Sequence, residues 1–347
     1  MTDEPAISFE HVRKVYDARS KDGRAASAVD DLTLEVRQHE VLVLVGPSGC
    51  GKSTTLRMAN RLVEPTSGRI RLEGEDVTRV DPVKLRRRMG YVIQNVGLFP
   101  HRTVAQNVAT VPGLLGWDRR RTASRVDELL DLVGLAPERY ARRYPHELSG
   151  GERQRVGVAR ALATDPPVLL MDEPFGAVDP VGRQRLQAEF ARIQRALGTT
   201  VILVTHDIDE AVRMADRVAV LSTGARIEQL AAPLDVVARP ASPAVAELVG
   251  RGRTARLLAL GRLELADVDP VVEGSGTPVV LGTELGEVLH SFVGANQTVQ
   301  VVDQRGAVVG SATPATVVRA LDRVTADHPD ETQVTDVHDT AVGTVRS

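Results

Sequence analysis

Residues 40–62 read EVLVLVGPSGCGKSTTLRMANRL. Val41–Val45 is an unbroken apolar run rich in valine, and a run without alternation marks a strand buried on both faces. The chain then enters a glycine-rich loop, Gly46–Thr54, and continues as a helix, KSTTLRMANRL. The loop fits G-x-x-x-x-G-K-[ST] in the strand–loop–helix setting that its mechanism requires. Gly46, Gly49 and Gly51 let backbone N–H groups turn inward around phosphate oxygens. The expected cradle is Gly46, Pro47, Ser48, Gly49, Cys50, Gly51, Lys52, Ser53 and Thr54. Lys52 would reach the β- and γ-phosphates, and Ser53 would offer its hydroxyl to Mg²⁺. The chain has only four lysines (Lys14, Lys21, Lys52, Lys84), so one inside such a loop stands out. Cys50 reads as a packing residue of the loop.

Further buried strands are expected at GYVIQ (90–94), PVLLMDE (167–173) and TVILVTHD (200–207), with helices at 122–133, 152–164, 180–197 and 208–215. Short strands fill residues 1–40. This alternation predicts an α/β domain with a mainly parallel sheet. In such sheets ligands bind at the carboxyl ends of the strands. Asp172 emerges there as a Mg²⁺ ligand, and Glu173 beside it can polarise an attacking water. Phosphoryl transfer needs mainly placement and charge neutralisation, so one metal ligand and one base suffice. His206 ends another strand at the same edge and can touch a γ-phosphate. Gln94 closes GYVIQ and can bind Mg²⁺ or water through its amide. Tyr16 is placed either to stack on a base or to pack in the core.

ELSGGERQRVGVARAL (147–162) is a helix start with an amide-rich lead-in. Helix N-termini attract anions, but the Ser149-Gly150-Gly151 turn has no lysine to hold a phosphate alone.

Composition bounds the rest. The 347 residues suggest two or three domains. A net charge of −3 gives no basic excess of the kind that nucleic-acid binding requires. No apolar run approaches the ~18 residues that span a bilayer, and MTDEPAISFE lacks a secretory h-region. One cysteine excludes an intrachain disulfide framework. The first domain is expected over 1–240. A β-α-β-β-α pattern suggests a smaller α+β domain over 250–323, and 324–347 reads as an acidic, disordered tail.

The phosphate loop, Gln94, LSGGE, VLLMDE, AVD (177–179) and His206 occur in one order. Over residues 1 to about 240 this set resembles the ATP-binding subunit of ABC transporters. LSGGE resembles the family signature LSGGQ, with Glu152 in the last place. The resemblance implies two copies packed head to tail, in which ATP on one chain's phosphate loop is capped by Ser149, Gly150, Gly151 and Glu152 of the other. Asp179 would lie at that seam. ATP and Mg²⁺ are the implied cofactors. Transmembrane permease subunits and, through them, a solute-binding protein are the implied partners, at the cytoplasmic face of a membrane. The phrases GYVIQNVGLFPHRTVAQNVATVPGLLGW, YPHELSGG and MDEPFGAVDP resemble importers of quaternary-amine osmoprotectants, with methionine and polyamine importers sharing part of the wording. The stretch after Gln94 would receive a permease helix. The unit at 278–323 resembles one CBS motif, either a nucleotide binder or a pairing module. Relatives outside transport fit less well. Repair ATPases need a long coiled-coil insertion between loop and signature, and ribosome-associated ones carry two phosphate loops.

Overall fold

The computed structural model describes residues 4–19, 25–94, 96–176, 178–272, 277–292 and 298–326. It divides into two compact units, 1–256 and 257–347.

In the first unit β1 (Ile7–Arg19) and β2 (Ala25–Val36) precede β3 (Val41–Val45), α1 (Lys52–Ala59), β4 (Ser67–Leu72) and β5 (Glu75–Asp76). Next come α2 (Pro82–Arg88), β6 (Gly90–Val92), α3 (Val104–Val108), α4 (Thr110–Leu114), α5 (Arg119–Leu132), α6 (Pro137–Tyr140) and α7 (Gly150–Ala161). The unit continues through β7 (Val168–Asp172), α8 (Pro180–Leu197), β8 (Thr200–Thr205), α9 (Ile208–Met214), β9 (Arg217–Ser222) and β10 (Arg226–Ala231). It closes with α10 (Pro233–Ala238) and α11 (Pro243–Val249), and α12 (Arg253–Leu260) carries the division.

Two sheets result. The larger runs β10-β9-β3-β8-β7-β6, parallel except for the β10 edge. All residues of β3, β7 and β8 are buried, as unbroken apolar strands require. The smaller is antiparallel, β2-β1-β4-β5. Ile7, Phe9, Leu32 and Leu34 of the small sheet share one core with Leu42 and Leu44 of β3, Leu56 and Met58 of α1, and Leu170 and Ile202. Register aligns the business ends: Val45 pairs with Thr205 and with Val220, and Asp172 with Val204. The phosphate loop, Glu173 and His206 therefore leave the sheet at one edge. Helices α3, α5 and α7 pack together in the insertion between β6 and β7.

The structure departs from expectation at several boundaries. GYVIQ is a strand only over Gly90–Val92, so Gln94 follows the strand instead of closing it. Ile93 and Gln94 are exposed, so nothing apolar holds them in the sheet. The first unit reaches Arg256, past the expected 240. Arg253 donates to the carbonyls of Val237 (2.9 Å) and Ala238 (2.5 Å), Arg256 pairs with Asp209 (2.6 Å), and Val245 and Val249 are buried.

The second unit contains β11 (Val279–Val280), α13 (Leu285–Ser291), β12 (Val299–Val302), β13 (Val308–Ala312) and α14 (Pro314–Thr325), in the anticipated β-α-β-β-α order. β12 pairs parallel with β11 and antiparallel with β13. Leu263, Val288, Val301, Val317 and Ala320 form its core. Buried Asp267 is gripped through both oxygens by Arg323, at 2.9 Å each. Burial alone would raise its pKa, but the Arg323 pairing and the Glu264 amide hold the carboxyl below the usual range. The tail expectation falls mostly on 327–347, outside the described residues, and Val324 and Thr325 belong to α14.

Candidate active site

The phosphate loop takes backbone shapes that few residues allow. Gly49 and Gly51 have φ of +81° and +111°, in the region that favours glycine. A Cβ on Gly51 would lie 2.4 Å from the Ala28 carbonyl oxygen, and one on Gly46 would lie 2.2 Å from that of Leu221. Gly51 also caps α1 with no side chain, although side chains cap α2, α3, α5, α7, α8 and α9. Among the described residues no side chain caps the first amides of α1, the arrangement a helix N-terminus needs to receive an anion. Lys52 is buried. Its ammonium donates to the Gly46 and Pro47 carbonyls at 2.7 and 2.8 Å, holding the loop as a ring. Cys50 is buried in the core that the small sheet, β3 and α1 share, in the packing role expected.

Ser53 donates its hydroxyl to Asp172 at 2.8 Å. One hydroxyl and one carboxylate oxygen side by side fit Mg²⁺, which takes few protein ligands and fills its shell from phosphate and water. Among the described residues there is no cluster of three or more His, Cys, Asp or Glu that could hold a metal by itself.

Glu173 is the hub of the next layer. It has φ +46°, uncommon for a residue with a side chain and typical of strained functional positions. Its amide donates to the Val204 carbonyl, fastening it to β8. Gln94 donates to its Oε2 at 2.9 Å, and His206 Nδ1 lies 3.3 Å from its Oε1. Gln94, Glu173 and His206 come from three separate strand ends and meet at one carboxylate. A carboxylate so held points in a fixed direction, with polar atoms of both neighbours beside it, a geometry suited to acting on a nearby proton.

Ser149–Glu152 make no hydrogen bond with these groups among the described residues. They form the N-terminus of α7. Ser149 accepts from the Glu152 amide, and Glu152 accepts from the Ser149 amide at 2.7 Å, a capping box. The Tyr140 hydroxyl donates to the other Glu152 oxygen at 2.7 Å. The Ser149 amide first, then Tyr140, hold this carboxyl below its usual range. Glu152 therefore has a structural task in this chain's turn. Asp179 is exposed and caps α8 by accepting from the Gly182 amide. Tyr16 is exposed on β1 opposite Ala26, with the Lys14 ammonium 5.0 Å from its ring.

Three residues near the site escaped sequence reasoning. Thr205 donates to buried Glu210 at 2.5 Å, and Glu210 Oε1 has no hydrogen-bond partner among the described residues. Burial first, reduced by the Thr205 bond and reinforced by Asp207, pushes the Glu210 pKa up to about 7. Arg183 bridges the Val178 carbonyl (3.4 Å) and Asp207 (3.5 Å). The signal for Glu210 was its place among Ile208, Ala211 and Val212 on the buried face of α9.

Residues 29–176 match the sequence profile of the ABC transporter family. Over 267 residues the chain is 51% identical to the osmoprotectant import ATP-binding protein OsmV of Salmonella typhimurium, covering 77% of this chain and 69% of that protein. This chain belongs to the ABC transporter family, as an ATP-binding subunit. It is also 53% identical over 255 residues to the glycine betaine uptake system ATP-binding protein YehX of Escherichia coli K12, covering 73% of this chain and 80% of that protein. Among solved structures it resembles the dimeric post-hydrolysis state of the ATP-binding cassette MJ0796 bound to ADP and Pi. That match has a TM-score of 0.57 at 31% identity and covers 65% of this chain and 98% of that one. No helix among the described residues of this ABC subunit is long and apolar enough to cross a membrane.

Proposed function

We propose that this subunit hydrolyses ATP to drive import of quaternary-amine osmoprotectants such as glycine betaine. The observation that carries the chemistry is the convergence of Gln94 and His206 on Glu173, one residue beyond the Ser53–Asp172 pair. The names of its relatives OsmV and YehX support the solute class.

In this reading the loop 46–54 binds the phosphates. Ser53 and Asp172 hold Mg²⁺, with Gln94 adjoining. Glu173 takes the proton from the attacking water, and His206 orients Glu173 and contacts the γ-phosphate. Tyr16, exposed on β1 and paired with β2, the strand whose Ala28 carbonyl abuts Gly51, offers a ring to the base. Ser149, Gly150, Gly151 and Glu152 cap the ATP of a second copy, and Asp179 lies at the same seam. The exposed Ser149 turn, complete as a helix cap and, among the described residues, making no hydrogen bond to its own chain's loop, supports that arrangement.

A surface groove of about 760 Å³, lined by Phe99, Arg102, Gln106, Thr110 and Leu114, is the seat for a permease helix at the cytoplasmic face of the membrane. The second unit is a CBS-like regulatory module that acts through pairing of two copies.

Glu173→Gln tests the chemistry. The amide keeps the size and can still accept from Gln94 through its oxygen, but it cannot take a proton, so hydrolysis should fall about 10²–10⁴-fold with ATP binding retained. Turnover near that of the unaltered chain would remove Glu173 as the base. Uptake of labelled glycine betaine with the matching permease tests the solute.

A further inference from the structure

Helix α7 carries the Ser149–Glu152 turn at one end and Arg160 in its last turn at the other. Arg160 is partly buried and reaches across to the irregular segment that follows Gln94. Its Nη1 donates to the Gly97 carbonyl at 2.7 Å, and its Nη2 donates to the Val96 carbonyl at 2.6 Å. One turn earlier Gly157 brings the helix against the same segment, where a Cβ would lie 2.4 Å from Val96 Cγ1. Among the described residues no carboxylate forms an ion pair with Arg160, and burial pulls its pKa down. A desolvated guanidinium satisfied by two successive backbone carbonyls fixes orientation as well as distance. A planar fork does this and a lysine does not.

The clamped segment is the continuation of the backbone that bears Gln94, which donates to Glu173.

We propose that Arg160 is a positioning residue that makes the segment after Gln94 and helix α7 move as one body. It joins the hydrolysis site of one chain to the turn that chain offers to a second copy. The inference rests on the reading of the protein as an ATP-closed dimer.

The test uses the full chain carrying Glu173→Gln, with Arg160→Met or Arg160→Lys added. Mg-ATP binding to the monomer should stay within about twofold, because Arg160 touches no part of the phosphate loop. The dimer dissociation constant, from sedimentation with Mg-ATP, should rise about tenfold for Met, the worth of roughly one charge-assisted hydrogen bond. Lys should fall between. Amide exchange should quicken at 96–99 and 149–152 and stay unchanged at 46–54. An unaltered dimer constant for Met, or faster exchange spreading to 46–54, overturns the clamp. Should Arg160→Met fail to fold, Arg160→Lys decides alone: a weakened dimer supports the clamp and an unchanged one overturns it. If the Glu173→Gln chain itself stays monomeric with Mg-ATP, the dimer reading fails instead.

Discussion

Glu210→Gln is expected to stabilise the protein, and only above a certain pH. In the folded chain Glu210 is buried and titrates at about 7, against an ordinary glutamate value of 4.5. The folded state therefore holds a proton that the unfolded state has already released. Stability from this group is fully present below pH 4.5 and is lost as pH rises to 7. A gap of that size is worth about 3 kcal/mol at 1.36 kcal/mol per pKa unit. Glutamine removes the titration and can still accept the Thr205 hydroxyl. The two chains should be nearly equal in stability near pH 4, and Glu210→Gln should lead by about 3 kcal/mol at pH 8. Urea unfolding followed through Trp117, the single tryptophan and a residue of the first unit, gives the curves. Taking the difference between chains cancels the opposite slopes of Asp76, Glu152 and Asp267, whose lowered pKa values favour folding as pH rises. Parallel stability curves from pH 5 to 8, within about 0.5 kcal/mol, would refute the reasoning. They would mean that Glu210 is solvated or paired in solution.

Two more outcomes follow from the geometry. Gly51→Ala must adopt φ +111° and bring a methyl 2.4 Å from the Ala28 carbonyl, a strain of about 1–3 kcal/mol. The melting temperature and ATP affinity should both fall, and a chain unchanged in both would show that the loop relaxes freely. A chain ending at residue 256 keeps Val245, Val249 and the Arg253 and Arg256 bonds to the first unit, whereas one ending at 240 loses them. The shorter should be less stable by about 3 kcal/mol or more from the two valines alone. Equal denaturation midpoints would return the boundary to 240.

The parallel sheet and the phosphate loop were legible in the chain because each rests on local constraints. VLVLV, VLLMD and TVILVT are apolar without alternation, which only a doubly covered strand tolerates. The loop's glycines are needed by the backbone at their own positions, as φ at Gly49 and Gly51 bears out. Asp172, Glu173 and His206 followed because strand direction alone sends strand ends to one edge. The family was legible for the same reason: its motifs are short and contiguous.

Distance in the chain hid the rest. Gln94 reads as the end of a strand, yet it leaves the sheet at Val92, and what holds it is Glu173, 79 residues on. The domain boundary looked loose in ARPASPAVAELVG, but two arginines beyond it reach back to carbonyls and to Asp209. Glu210 looked like an ordinary acid at a helix start, and only packing on both sides deprives it of water and raises its pKa. Glu152 looked like a departure from the signature, until Tyr140 and the Ser149 amide were found on its two oxygens. Local pattern writes strands, turns and motifs. Partners brought together from far along the chain, and the water they exclude, decide which side chains carry charge and which segments move together.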